Sequence, residues 1–329
     1  MRPVLVTGAA GFVGSHLVDA LLARGVPVRA LVRPETDRRW LASSQVEFAL
    51  GDVGDPSADD ALVRAAEGCD LVYHVAGITQ ARTKGAFTRV NAEGAGRMAR
   101  AASRASVSRF VLVSSLAAGG PARAGRPRTE GDPDAPVGGY GQSKREGEVR
   151  AAEAFGPVVT IRPPVVFGPR DAAMAILFRM ADRGFLPLPG GLGQRLSLVY
   201  AKDLAQALVL AGERAPAGAR YYVASGPPLT SGELADAIGR ALGRKPLRFG
   251  VPSVMLRAAV GCAEAWAKAT GRPVRLTRER LADWTEPDWT VDDTRARTEL
   301  GYAPSQSIEA GIAETAAWYR SAGWIARST

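Results

Sequence analysis

Cysteine and histidine are scarce in this chain. Its 329 residues hold two of each, Cys69, Cys262, His16 and His74. The cysteines stand far apart in no paired spacing, which excludes a disulfide scaffold and fits free thiols in a reducing compartment. Neither histidine stands in a metal-ligand or Ser-His-Asp pattern, so zinc chemistry and triad hydrolysis fall away and no metal is expected. Long apolar runs are missing too. The longest uncharged stretch, Pro3 to Val18, is broken by Gly8, Gly11 and Gly14 and is shorter than the ~20 residues of a membrane span. Concentrated charge is the last absence: 42 Lys and Arg against 33 Asp and Glu leave a net +9, but Arg123, Arg126 and Arg128 are the nearest approach to a basic cluster. With no zinc-finger or basic-region pattern, nucleic acid is not an expected partner. These readings point to a soluble, cytoplasmic protein without a stable membrane span.

What is present is core-forming material. Apolar residues make up 46% of the chain and charged residues 23%, enough to bury a large α/β domain or a cofactor domain with a smaller lobe. The first half alternates short β-branched runs with helical patterns. Strands are expected at Val4 to Val6, Val26 to Val32, Val46 to Leu50, Leu71 to Val75, Phe110 to Val113 and Val158 to Ile161. Helices are expected at Phe12 to Ala23, Ala86 to Ser103 and Gly139 to Phe155. Strands without a polar face, alternating with helices, imply a doubly wound parallel sheet covered on both sides.

After Pro169 helices dominate, at Ala172 to Arg183, Asp203 to Glu213, Thr230 to Leu242, Ser253 to Thr270 and Ser307 to Arg320. Short strands are expected near Leu196 to Val199 and Tyr221 to Val223. The resulting division is a Rossmann-type doubly wound domain over residues 1–169, to which segments around 196–225 return. Residues 170–329 then form mainly a smaller, mostly helical substrate-binding lobe. The Gly, Pro and Arg-rich stretch from Gly119 to Gly138 reads as a mobile loop beside the site.

Three groups of residues carry chemistry. The segment Val4 to Gly14 is a strand, a glycine turn and a helix start, in which Gly8, Gly11, Phe12 and Val13 would present bare backbone N–H groups to a diphosphate. After the second strand the chain reads Val32-Arg33-Pro34, with Arg38 and Arg39 close by, where an enzyme gripping an NAD ribose usually places an acid. A guanidinium there can pair with a 2′-phosphate, so NADP(H) is the expected cofactor and NAD(H) the alternative. Finally, Tyr140 and Lys144 are four apart on a helix, one turn from each other on one face. A phenol titrates near ~10 in water, and a neighbouring cation lowers that value. Such a phenol can give a proton to a carbonyl oxygen or take one from an alcohol. Val113-Ser114-Ser115, at the end of the fifth strand, offers a hydroxyl to hold the same oxygen.

Taken together, the glycine turn, Gly51-Asp52, His74 to Gly77, Val90-Asn91, Val113 to Ser115, Tyr140 to Lys144 and Arg162 to Pro169 make the chain resemble an extended short-chain dehydrogenase/reductase over nearly its whole length. The resemblance implies that Tyr140 is the acid/base, that Lys144 binds the nicotinamide ribose and tunes Tyr140, and that Ser115 orients the substrate oxygen. It also implies that Asp52 and Val53 meet the adenine, that Ala76 lines the nicotinamide side, and that Pro163 to Val166 flank the ring. Asn91 would be structural or part of a proton relay.

Nucleotide-sugar epimerases and dehydratases usually carry an arginine in the stretch matching Arg195 to Asp203, and here that arginine is one residue out of register. The stretch looks closer to the 3β-hydroxysteroid dehydrogenase and dihydroflavonol reductase branches. The expected activity is therefore NADP(H)-dependent hydride transfer to or from a secondary alcohol or ketone of a bulky, apolar small molecule. The alternatives are an epimerase/dehydratase with retained NAD and a non-catalytic NADP-binding sensor. A homodimer stays open. The apolar pattern Val254 to Ala269 reads first as a packing helix, with a hydrophobic pocket or a lipid-facing edge as the other readings.

Overall fold

The computed structural model describes residues 2–41, 44–81, 83–123, 125–270, 281 and 284–326. Its centre is a parallel sheet of β1 (Val4–Thr7), β2 (Val28–Val32), β3 (Val46–Leu50), β4 (Leu71–His74), β5 (Arg109–Val113) and β6 (Val159–Arg162), with a later edge strand. Every residue of β1 and β6 is buried, and β1, Val-Leu-Val-Thr, accordingly lacks polar alternation.

The next strands, β7 (Val165–Phe167), β8 (Phe185–Leu188), β9 (Arg195–Leu196) and β10 (Leu198–Tyr200), lie outside this sheet, and β11 (Arg220–Tyr222) returns to it beside β6. The order across the sheet is β11-β6-β5-β4-β1-β2-β3. Connections therefore diverge from β1 in both directions, which makes the carboxyl ends of β1 and β4 the topological switch point, where sheets of this kind form a ligand crevice.

Helices α1 (Phe12–Leu22), α2 (Asp59–Ala66), α3 (Lys84–Phe87), α4 (Gly94–Arg104), α5 (Leu116–Gly119) and α6 (Gly139–Phe155) belong to the first half. They are followed by α7 (Met174–Asp182), α8 (Ala201–Arg214), α9 (Ser231–Leu242) and α10 (Ser253–Thr270). One face of the sheet is covered by α1 and α8 through residues such as Leu17, Leu21, Leu204 and Leu208. The other is covered by α2, α4 and α6 through Leu62, Met98 and Ala151. A second core joins α7, α9 and the Ile308–Ser321 helix around Phe178, Ile238 and Tyr319.

Several expectations need adjusting. The helix expected from Ala86 to Ser103 is interrupted by a wide π-type turn over Thr88–Glu93. That turn lets the Asn91 carboxamide face the backbone of Ile78, accepting its N–H at 2.8 Å and donating to its carbonyl at 2.9 Å. The strand expected from Leu196 to Val199 is two strands, β9 and β10, in different ladders.

The described residues of the segment Gly119 to Gly138, expected as a mobile loop, make several hydrogen bonds. Arg128 is buried, its guanidinium donates to the carbonyls of Pro121 and Pro133, and its backbone N–H donates to Thr290 at 3.0 Å. Glycine and proline content marks a turn-rich path; the buried Arg128 guanidinium ties two parts of that path together, while backbone bonds to Asp288 and Thr290 and the Asp134–Arg162 ion pair hold it to the protein.

Candidate active site

At the end of β1, Gly8 turns the chain with φ +66°, and a Cβ there would come within 2.7 Å of the Ala76 nitrogen. A Cβ on Gly14 would land on the Gly8 carbonyl oxygen. These two glycines thus close the turn against β4 and start α1 beneath it. Gly11 is the exposed N-cap of α1, which has no side-chain cap and no acid in its first turn. Half-buried Phe12 and Val13 open that helix. An uncapped helix start at the crevice suits an anionic diphosphate, so these residues fit the dinucleotide that the motif implies.

The crevice floor is stitched together by Thr7. Its hydroxyl accepts the Ala76 N–H at 3.1 Å and lies 3.0 Å from His74 Nδ1. His74 is fully buried, and its pKa falls to about 3, first through burial and then through the Lys144 charge. It is therefore neutral in the folded protein.

On α6 the inner face runs through Gly141, Lys144, Glu148 and Ala151. Lys144 is buried, and its ammonium donates to the Val113 carbonyl at 2.7 Å. Burial pulls its pKa down to about 8, while the Glu148 carboxylate acts in the opposite sense. The cation therefore sits at the carboxyl end of β5, two residues before Ser115. Ser115 caps α5 by accepting the Ala117 N–H at 3.2 Å. Tyr140 is half-buried one turn before Lys144, its ring 5.8 Å from that of Phe87.

Asn91 donates to Ser143 Oγ at 3.0 Å, and Ser143 donates to the Tyr140 carbonyl at 2.7 Å. All of the polar atoms of the Asn91 carboxamide are thus engaged in holding the post-β4 loop to α6. Gly147 lets α6 come close to this π-type turn, since a Cβ there would land on the Asn91 backbone carbonyl oxygen.

The other expected residues are more spread out. Arg33 stands exposed at the end of β2, its guanidinium 3.3 Å from Glu35, an acid two residues beyond the strand-end position. Arg38 lies over the Phe48 ring at 4.6 Å, and Arg39 pairs with Asp37. Asp52 accepts the Gly54 N–H at 2.8 Å, whereas Val53 is buried with its carbonyl taken by Arg97 at 2.9 Å. Ala76 is half-buried at the crevice. Pro163 is buried, and its carbonyl accepts the Leu116 N–H at 2.8 Å. Val166 is half-buried and pairs with Val199.

Three features escaped the sequence reading. Thr7 links two strand ends, Gly141 lets α6 approach α5, and Arg162 with Glu148 forms an ion pair inside the protein. The signal for the last was there: a charged residue closing the apolar strand Val159–Arg162, and a glutamate one turn after Lys144.

Residues 4–224 match the NAD dependent epimerase/dehydratase family. A ceramide reductase of Caulobacter vibrioides is 33% identical, with 99% of this chain and 96% of that protein covered. A 4-hydroxy-2-methyl-3-oxo-4-farnesyl-3,4-dihydroquinoline-1-oxide ketoreductase of Stigmatella aurantiaca is 30% identical over 93% of both chains. Among solved structures, gox2253 is 28% identical with a TM-score of 0.81, covering 99% of this chain and 100% of that one. Glycine turn, buried lysine and full-length similarity agree: the chain belongs to the NAD dependent epimerase/dehydratase family and is an NAD(P)-dependent enzyme of the extended short-chain dehydrogenase/reductase type.

Proposed function

We propose that the protein is an NADP(H)-dependent reductase of ketones, or the reverse dehydrogenase, acting on bulky apolar molecules. The observation that carries this reading over sugar-nucleotide chemistry is Arg195. Its guanidinium is held 3.0 Å from the carboxylate of Asp288 on the neighbouring strand, so the arginine nearest the epimerase position already has an anionic partner. Leu196 beside it packs against an apolar cluster that includes Leu116, Tyr222 and Trp289. The two relatives named above support the same reading, since both names describe reduction of molecules with long apolar chains.

When bound, the nicotinamide supplies or accepts hydride. In this reading Gly8, Gly11, Phe12 and Val13 hold the diphosphate, while Asp52 and Val53 stand at the adenine end and Ala76, Pro163 and Val166 flank the nicotinamide. Arg33 takes the 2′-phosphate once it exchanges Glu35 for that stronger anion. Ser115 orients the substrate oxygen, and the Tyr140 phenol gives it a proton as the carbonyl carbon is reduced. The buried Lys144 cation stabilises the phenolate left behind.

The test is loss of reduced-nicotinamide absorbance with NADPH and a panel of apolar ketones, steroids and sugar nucleotides. Consumption with an apolar ketone supports the proposal. Purification with tightly held NAD, and sugar-nucleotide conversion without net redox change, would establish the epimerase alternative instead. Binding of NADPH without turnover of any substrate would mark a sensor.

A further inference from the structure

Helix α10 carries none of the residues assigned to catalysis or cofactor binding and has a divided surface. Leu256 and Val260, four residues apart, are buried against the protein. The opposite side is open: Val254 and Met255 are 74% and 63% exposed and Trp266 is 48% exposed. Met255, Ala259, Cys262 and Trp266 follow at steps of four, three and four, which puts them on one line of the helix, and all are exposed. Just before the helix, the Leu247–Gly250 strand pairs with β8 in parallel and leaves Leu247 70% exposed opposite Phe185. A soluble surface seldom carries so many large apolar groups in one short stretch.

The charges of the chain segment that carries this face are mainly positive. Residues 244–270 carry Arg244, Lys245, Arg248, Arg257 and Lys268 against Glu264 alone, in a chain of net charge +9. Arg244 and Arg248 lean on Asp182 and Asp236 in exposed ion pairs, which hold little energy and exchange readily for another anion. An open apolar helix face bordered by cations matches an anionic bilayer surface, where apolar groups enter the headgroup boundary and arginines meet phosphates. A second copy of this chain would bring like charges together instead. No helix among the described residues is long and apolar enough to cross a membrane, so the contact is peripheral.

We propose that the outer face of α10, with Val254, Met255 and Trp266 as its anchors, docks the enzyme on an anionic lipid surface. The proposal rests on the apolar-substrate reading, because such a substrate resides in the bilayer and the enzyme gains by meeting it there.

The test uses the full chain and vesicles of phosphatidylglycerol with phosphatidylethanolamine, compared with phosphatidylcholine alone. Cys262 is exposed on this face and Cys69 is buried, so an environment-sensitive thiol dye reports from Cys262. The expected result is flotation with the anionic vesicles, a blue shift of the dye, and weakening of both in high salt. Met255→Glu with Trp266→Glu should reduce flotation at least tenfold while the melting temperature is retained. Val254→Glu serves as an independent second variant.

Absence of flotation, or flotation unchanged in these variants, overturns the proposal. So does a dimer by light scattering that the variants convert to monomer. Turnover of a water-soluble ketone in vesicle-free buffer separates the two readings. Turnover without vesicle binding overturns docking alone, and vesicle binding without turnover of any ketone leaves docking standing and overturns the reductase assignment.

Discussion

Arg162 grips both carboxylate oxygens of Glu148, Nε at 2.8 Å and Nη2 at 2.6 Å, with both side chains inside the protein. Its third nitrogen reaches Asp134 at 2.6 Å and the Tyr222 hydroxyl at 3.2 Å. The pair ties α6 to β6 one helical turn beyond Lys144, and through Asp134 it also ties down the segment that precedes Tyr140. A buried charge left without its partner is costly. Glu148→Gln is expected to lower unfolding free energy by about 3 kcal/mol in urea titration. A loss under about 0.5 kcal/mol would mean that the pair is replaceable by neutral hydrogen bonds.

Tyr140→Phe removes the proton donor and leaves the ring against Phe87. Turnover is expected to fall on the order of 10²- to 10⁴-fold, with NADPH affinity by fluorescence titration unchanged. Full turnover in the variant would defeat the assigned role.

Arg33→Ala should raise the KM for NADPH roughly 10- to 100-fold and leave that for NADH nearly unchanged, as expected for lost charge-assisted hydrogen bonds. Glu35→Gln should act the other way, since it frees the guanidinium from its 3.3 Å partner. Equal effects on the two cofactors would refute a 2′-phosphate contact.

The Lys144 pKa is pulled down to about 8, so its charge is present below that value and lost as pH rises through it. The kcat/KM profile is expected to fall on the alkaline side with a midpoint near 8. Lys144→Arg, whose guanidinium stays charged, should remove that limb even if overall activity drops.

His74 titrates near 3 when folded and near 6.5 when unfolded, so on acidification the unfolded chain takes up a proton first. Its contribution is present above about 6.5 and is lost as pH falls toward 3, amounting to roughly 5 kcal/mol at the bottom of the window. A His74→Asn variant should show a flatter stability curve between pH 6 and 4 than the parent. Parallel curves would exclude His74 as the cause.

Much of this architecture follows from local rules. Strands rich in β-branched residues such as Val4–Thr7 announce a sheet buried on both faces, and Gly8 before α1 announces a turn that other residues would clash in. Spacing alone placed Tyr140 and Lys144 on one helix. Interactions between distant segments had no such signature. The π-type turn at Asn91 exists because its carboxamide answers the Ile78 backbone, and the Gly119 to Gly138 path is held because Arg128 and Asp134 find partners far along the chain.

Periodicity and turn chemistry act between neighbours, so they can be read along the chain. Which carboxylate a buried arginine meets, how far Lys144 is desolvated, and which side of α10 faces outward depend on what the folded chain brings together. Those three were decided by tertiary packing, because burial and partner choice are properties of the assembled interior and not of any one segment.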